Sequence, residues 1–481
     1  MSAAVGTVAV VGAGAAGAVT AVRLLERASG RLEVLLIDPV PGHGRGVAYA
    51  TADPRHRLNT PAGQMSASAD DPLDFVRWLG GQAGPGDYVP RAQFGAYLAD
   101  FLDRTVNRGG SASLRRIHAR VVGLRAGRTG ASVRLAHGGA IEADAVVLAI
   151  GSFPASTMGI AERLRESARF VADPWAPGAV AAVRETGDVL LVGTGLTMID
   201  MALSLERPGR VVHAVSRHGL LPRAHSNTPA EPVDPPDFAG LVGLSSVRRA
   251  VLRHVGARVR ADGDWRAAID ALRPLVPTLW AGMPIADRLR FLTQDRRLWD
   301  VHRHRMPATT AAEVDALRVS GRLVVHAGEI TDAARVADGL RVTLSDGASL
   351  RVAAVVNCTG VHEYVGRVSD PLVDELVATG GARPGPLGLG FDTAPDGRIL
   401  PADGRRVPVW TLGSPRRGTL WETTAFPEIR KQARDIAASV LAAGQQPITD
   451  SEEFEPWRHP DRTRDGRRRQ HPLWTAGSPS G

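Results

Sequence analysis

Cysteine is almost missing from this 481-residue chain, where Cys358 stands alone. One thiol excludes an intrachain disulfide framework and a redox-active cysteine pair, and with the pair the simplest dithiol-reductase chemistry. Lysine is equally scarce: Lys431 is the only one among 58 basic residues. The arginines that make up the rest are spread along the chain without a long basic face. A formal charge of +8 therefore reflects an arginine-for-lysine bias rather than a nucleic-acid footprint. No run is long and apolar enough to span a membrane. No CxxC or HExxH pattern offers a metal site, and the apolar N-terminus lacks the basic start of a signal peptide. These absences predict a cytoplasmic protein with no metal and no nucleic-acid or membrane partner. The length allows two or three domains, and the sequence leaves the oligomeric state unknown.

What is present begins with a strand, a glycine turn and a helix. Thr7 to Val11 is a short apolar run, followed by Gly12-Ala13-Gly14-Ala15-Ala16-Gly17 and a helical segment from Ala18 to Ala28. Gly12 makes the tight turn, Gly14 lets backbone approach a pyrophosphate, and Gly17 lets the helix sit close to the sheet. The helix N-terminus faces the phosphates. A second apolar strand, Leu32 to Ile37, ends on Asp38, where an acid accepting hydrogen bonds from ribose hydroxyls is expected. The unit predicts an adenine-dinucleotide site.

A looser copy follows. Asp188 to Val192 leads into Gly193-Thr194-Gly195-Leu196-Thr197-Met198, so Met198 stands where the third glycine would be. The next strand, Arg210 to Val215, leads to Ser216-Arg217-His218, and no carboxylate stands where a bare ribose is read. Arg217 can instead face a phosphate on the adenosine 2′ oxygen, which favours NADPH over NADH as the mobile cofactor. Two such sites in one chain allow one to hold a flavin tightly while the other admits a nicotinamide donor.

The fold class expected is α/β, with two Rossmann-like dinucleotide-binding domains. Residues 1–185 form the first, with a helical insertion (Pro72 to Leu79, Arg91 to Asn107), and 186–330 the second. Residues 331–450 return to the first domain, making it discontinuous, and 451–481 form a C-terminal arm of low periodicity. Asn357-Cys358-Thr359-Gly360 and Leu412-Gly413-Ser414-Pro415 each end an apolar run, so Gly360 and Gly413 are expected beside a cofactor. Cys358 is expected to be a packing residue.

Further segments carry a family resemblance: Gly42-His43-Gly44-Arg45-Gly46-Val47-Ala48-Tyr49, Arg57-Leu58-Asn59-Thr60-Pro61-Ala62-Gly63-Gln64-Met65-Ser66, Val89-Pro90-Arg91, Trp299 to Met306, and Leu420-Trp421-Glu422-Thr423-Thr424-Ala425-Phe426-Pro427. The chain resembles the bacterial FAD/NAD(P)-binding proteins, two-dinucleotide-binding-domain flavoproteins, from its N-terminus to about residue 440. More loosely it is similar to N-hydroxylating flavin monooxygenases. The resemblance implies FAD in the first site and NADPH, with NADH as alternative, in the second. It places Arg45, Asn59 and Gln64 alongside the flavin as candidate catalytic residues, and brings Gly413 near the ring. Backbone N–H groups around Thr424 and Phe426 then face the pyrimidine end, where they stabilise charge on reduced flavin. The implied reaction is hydride transfer from NAD(P)H to FAD. Monooxygenation of a small molecule follows, through a flavin C4a-hydroperoxide, with molecular oxygen as co-substrate and an amine among the candidate substrates. An NAD(P)H-dependent reductase and a non-catalytic flavin-binding protein are the alternatives.

Overall fold

The structure, a computed structural model, describes residues 6–155, 162–183, 186–228 and 231–443. The C-terminal arm expected at 451–481 lies outside the described residues.

Two five-stranded parallel sheets organise the chain. The first runs in the order Val409–Thr411, Ala145–Leu148, Thr7–Val11, Leu32–Asp38, Ala112–His118. Its central strands are near-continuous runs of Val, Ala, Leu and Ile because both faces are covered, as a parallel sheet requires. Helices Ala15–Arg27, Arg91–Asn107 and Phe426–Ala443 pack on one face around Val8, Val10, Phe94, Tyr97 and Ile436. An antiparallel meander, Val121–Ala126, Ala131–Leu135 and Ala140–Ala143, covers the other face together with helix Pro371–Ala378.

The second sheet repeats this plan in the order Leu323–Ala327, Val212–Ser216, Val189–Val192, Ala354–Asn357, Phe170–Val171. Its own meander is Ile330–Val336, Gly339–Leu344 and Ser349–Val352. Each domain is thus strand, helix, strand, insertion, strand, meander, strand. Each also takes its fifth strand from outside that run.

Sheet membership divides the chain differently from the expected ranges. Ala354–Asn357 pairs beside Val189–Val192, so the second domain extends past 330 to about 357. Phe170–Val171 pairs with Val355 and Val356, so it belongs to the second sheet although it precedes 185. The physical reason is that a meander returns its chain to the sheet it left. The insertion in the second domain is a helical layer that the sequence reading missed. It includes Leu244–Asp262, Arg266–Leu272, Val276–Gly282, Ile285–Arg290 and Arg296–Arg303, with a π-helical turn at Phe291–Asp295. No helix among the described residues is long and apolar enough to cross a membrane.

Candidate functional site

The first glycine turn is built by close backbone approach. Gly12 has φ +101°, and a Cβ on it would lie 2.3 Å from the Ala149 carbonyl oxygen. A Cβ on Gly17 would lie 1.8 Å from the Gly12 oxygen, so nothing larger than glycine lets this helix start so near its turn. Gly14 N-caps helix Ala15–Arg27, and the loop glycine Gly46 lies against it: a Cβ on Gly14 would meet the Gly46 Cα at 3.3 Å. The helix begins without a side-chain cap, and no protein acceptor among the described residues meets the N–H groups of Ala15 and Ala16. Those are the orphan donors that an anionic phosphate satisfies. Asp38 accepts from the Ala13 N–H at 2.7 Å and the Val40 N–H at 2.8 Å, one through each oxygen. Each oxygen keeps a lone pair for a ribose hydroxyl. Asp38, Val40 and Gly42 line one cleft with Ala13 and His118. The residues present fit the adenosine and pyrophosphate of a dinucleotide.

The second turn repeats the first contact. Gly193 has φ +107°, and its added Cβ would lie 2.3 Å from the Cys358 carbonyl oxygen, the counterpart of Ala149. Cys358 is buried, and burial pushes its thiol pKa well up, so it packs and does not react. Met198 lies five residues after Gly193, as Gly17 lies five after Gly12. A side chain there requires helix Leu196–Leu205 to stand off from its turn. Gly195 caps this helix in open space. Register matches Val11 to Ile37 and Val192 to Val215, so Ser216 occupies the place of Asp38. The Ser216 hydroxyl meets that of Thr194 at 2.8 Å. Arg217 is exposed beyond it, with no protein partner among the described residues. Gly360, with φ +87°, lies between Cys358 of the second cradle and Val361, which pairs with Ala155 of the first domain's exit strand, so it stands where the two domains join.

The two domains meet through residues that the sequence set in separate motifs. Arg91 and Asp200 form an ion pair at 2.7 Å, their side chains 16% and 6% exposed. Burial raises the Asp200 pKa, against the attraction of Arg91. His56 donates from Nε2 to Ser204 Oγ at 2.8 Å, since the Ser204 hydroxyl donates to Asp53 at 2.6 Å. The Thr51 hydroxyl meets His56 Nδ1 at 2.6 Å. His225 packs on Tyr88 and donates from Nε2 to the Asn59 carbonyl at 3.0 Å. Burial and the nearby Arg305 lower the His225 pKa to about 4.

The helical insertion closes on the returning part of the first domain. Arg273 pairs with Glu428 through two contacts at 2.6 and 2.7 Å, and Arg296 does the same with Glu363. Glu422 accepts from Trp299 Nε1 at 3.1 Å and lies 3.4 Å from Arg303. Burial opposes ionisation of Glu422, yet Arg303 and His304 hold its pKa below the usual carboxylate range. Trp421, with φ +59°, stacks on Trp280 at 4.9 Å. Among the described residues only Leu387 shares a positive φ without being glycine, and it packs in the same cluster. Such strain persists where surrounding contacts over-determine the backbone.

Of the expected site residues, Arg45 and Gln64 are exposed, and neither has a protein partner among the described residues. Arg45 caps the short helix Gly46–Tyr49 whose first residue touches Gly14, so it stands beside the first glycine turn. Asn59 is half-buried, and its carbonyl is taken by His225. His43, in the same loop as Arg45, is held at 3.3 Å by the Ala99 carbonyl and by Asp103. Gly413, with φ +74°, lies just past the strand Val409–Thr411. Its N–H donates to Gln432 Oε1 at 3.1 Å, and Gln432 Nε2 donates to the Thr423 carbonyl at 3.1 Å. Gln432 was not anticipated; a glutamine inside a helix carries no local signal of so distant a contact. Thr424 is exposed just before helix Phe426–Ala443, whereas the Phe426 side chain is core, packed at 4.7 Å on Phe94. Only the Phe426 backbone can face a cofactor. Among the described residues no group of three or more metal-binding side chains occurs.

Two parallel sheets, each with a glycine turn at the end of its first strand, define a fold with two domains of the dinucleotide-binding type. Residues 9–153 match the model of the family described as FAD-NAD(P)-binding. No curated protein matches the sequence. The fold is similar to the reduced form of the ornithine hydroxylase PvdA from Pseudomonas aeruginosa, at TM-score 0.62 and 16% identity over 91% of this chain and 99% of that one. It is similar in equal measure to the ornithine N-hydroxylase KtzI of Kutzneria sp. 744, with the same score, identity and coverage. The bacillithiol disulfide reductase YpdA of Staphylococcus aureus aligns at TM-score 0.55 and 12% identity, over 91% of this chain and 98% of that one. The fold is therefore one shared by amino-acid hydroxylases and a disulfide reductase.

Proposed function

We propose that this chain is an FAD- and NADPH-dependent monooxygenase of a small molecule. The observation that carries the choice over a thiol-disulfide reductase is the isolation of Cys358, buried with its thiol pKa pushed up. The fold shared with the disulfide reductase YpdA carries here no second cysteine to pair with Cys358, while oxygen transfer from a flavin asks nothing of a thiol. Bound FAD would accept hydride from NADPH and pass reducing power to oxygen.

The chain's own residues bind, orient and exclude water. The N–H groups of Ala15 and Ala16 and the Arg45 guanidinium hold the FAD phosphates, and Asp38 holds the ribose. Gly413, pinned to Thr423 through Gln432, lets backbone approach the flavin. The N-terminal amides of helix Phe426–Ala443, with Thr424, offset negative charge at the pyrimidine end. Asn59 and Gln64 orient the ring edge. Gly193 and Gly195 receive the nicotinamide nucleotide, with Gly360 alongside. The insertion, fixed by Arg273, Arg296 and Arg303, keeps solvent from the reacting face. Substrate nitrogen is the favoured acceptor of oxygen.

Rapid mixing of FAD-loaded protein with NADPH, followed by aeration with candidate amines, tests this reading. Oxygen uptake matched one-to-one by hydroxylated product supports it. Substrate reduction that proceeds equally without oxygen replaces it with the reductase alternative. FAD binding without any stimulated NAD(P)H oxidation points to a non-catalytic flavin-binding protein.

A further inference from the structure

Arg297, in helix Arg296–Arg303 of the insertion, reaches across to the second glycine turn. Its Nη2 donates to the Thr194 hydroxyl at 2.9 Å and the Thr194 carbonyl at 3.1 Å, and it also meets the Leu220 carbonyl. Thr194 is the middle residue of Gly193-Thr194-Gly195, and its hydroxyl is the one that meets Ser216 at 2.8 Å. One threonine oxygen therefore holds both the Arg297 guanidinium and the Ser216 hydroxyl. Ser216 stands where Asp38 stands in the first domain, the position that reads the adenosine ribose. In the first domain that place carries a carboxylate, which repels a 2′-phosphate. In the second it carries a neutral hydroxyl with an arginine locked beside it. Arg297 is half-buried, and no protein acceptor among the described residues meets its Nε or Nη1. The planar guanidinium fork, held by its Nη2 arm, keeps donors on Nε and Nη1, on separate edges, together with a fixed positive charge for a phosphate.

The geometry points to Arg297 as the residue that receives the 2′-phosphate of NADPH, delivered from the helical insertion rather than from the dinucleotide fold itself. Thr194 gives its own hydroxyl proton to the Leu220 carbonyl at 2.7 Å, so Ser216 donates to Thr194; Ser216 is neutral and does not repel the phosphate, and Arg217 contributes charge from outside. This inference rests on the second glycine turn being a nicotinamide-nucleotide site. It adds that cofactor choice and insertion docking share one helix, since the neighbouring Arg296 holds Glu363 of the opposite face.

The test measures equilibrium binding by titration calorimetry on the full-length, FAD-loaded chain, with 2′,5′-ADP and 5′-AMP as probes. Wild type should bind 2′,5′-ADP more tightly. Arg297→Gln should weaken 2′,5′-ADP by about tenfold or more, the scale of one charge-assisted hydrogen bond, and leave 5′-AMP within about twofold. Arg297→Lys, which keeps the charge without the fork, should recover part of the preference and guards against a misfolded variant. Equal loss of both probes in Arg297→Gln overturns the assignment, as does no loss of either, or a wild type that does not prefer 2′,5′-ADP. Failure of the nucleotide reading itself is distinguishable: neither NADPH nor NADH would then bleach the flavin.

Discussion

Removing Arg91 should cost far more stability than a surface ion pair allows, and the cost should depend on pH. Asp200 is buried, and Arg91 is its charge partner across the domain boundary, at 2.7 Å. Deleting one member of a buried pair leaves an uncompensated charge, worth about 3 to 5 kcal/mol. Arg91 keeps 16% of its side chain exposed, so the lower end of that range, about 3 kcal/mol, is expected for Arg91→Leu. Arg91→Leu with Asp200→Leu removes both charges and should lie within about 1 kcal/mol of wild type. Burial already raises the Asp200 pKa, and Arg91 is what opposes it. Without Arg91 the folded pKa rises further above the unfolded value of about 3.9. The folded state then binds the extra proton, so its stability falls as pH rises through the raised pKa. The deficit of Arg91→Leu relative to wild type should shrink at acid pH and grow toward neutrality. Urea unfolding of wild type, both single variants and the double variant across that range measures all four corners. A pH-independent deficit below about 1 kcal/mol, the size of an exposed pair, or a double variant as unstable as Arg91→Leu, refutes the reasoning.

Gly17→Ala gains helix propensity of about 1 kcal/mol, yet its Cβ would lie 1.8 Å from a backbone oxygen. The helix must shift, at about 1 to 3 kcal/mol; the protein should purify with little FAD, read from absorbance at the flavin band relative to protein. Gly193→Ala meets the Cys358 oxygen at 2.3 Å with φ +107°. It should keep its FAD but lose NADPH-driven flavin reduction by an order of magnitude or more, scored by anaerobic stopped flow. His225 has a folded pKa of about 4, below the usual histidine value of 6.5. It therefore supplies stability above that unfolded value, and this is lost as pH falls from 6.5 toward 4, about 3 kcal/mol in all. His225→Gln should flatten that part of the pH-stability curve, and an unchanged curve would show that His225 does not titrate there.

The sequence reading recovered what is written in local pattern. Strand, turn and helix from Thr7 onward are encoded in adjacent residues, and so is the looser unit at Val189, because glycine spacing and apolar runs are properties of short windows. The helices at 74–78 and 91–107 were legible for the same reason. What escaped depends on pairing at long separation. Nothing in Ala354–Asn357 alone says that it lies beside Val189–Val192 rather than in the first sheet, because two buried parallel sheets use the same Val- and Ala-rich strands. The helical layer from 244 to 303 carries many arginines. Its inward side is partly polar: Arg273, Arg296 and Arg303 turn toward Glu428, Glu363 and Glu422 rather than toward an apolar core. A periodicity that looks for apolar stripes passes over a face that docks through charge.

The two domains share a plan, so their differences carry the division of labour. At the third position of the turn, glycine in the first domain lets the helix close to a distance that would place a Cβ within 1.8 Å of a carbonyl, while in the second domain the buried Met198 stands at that position. At the end of the second strand, Asp38 is anchored by two backbone N–H groups, while Ser216 is neutral and flanked by Arg217 and Arg297. A tight turn with an acid favours a resident cofactor bearing a free ribose. A looser turn with arginines suits a phosphorylated cofactor that must arrive and leave. Electron transfer between the two then requires the domains to hold one orientation. In this chain that orientation is set by Arg91 from a first-domain helix gripping Asp200 on the second cradle's own helix, so the contact that fixes the domains also fixes the site.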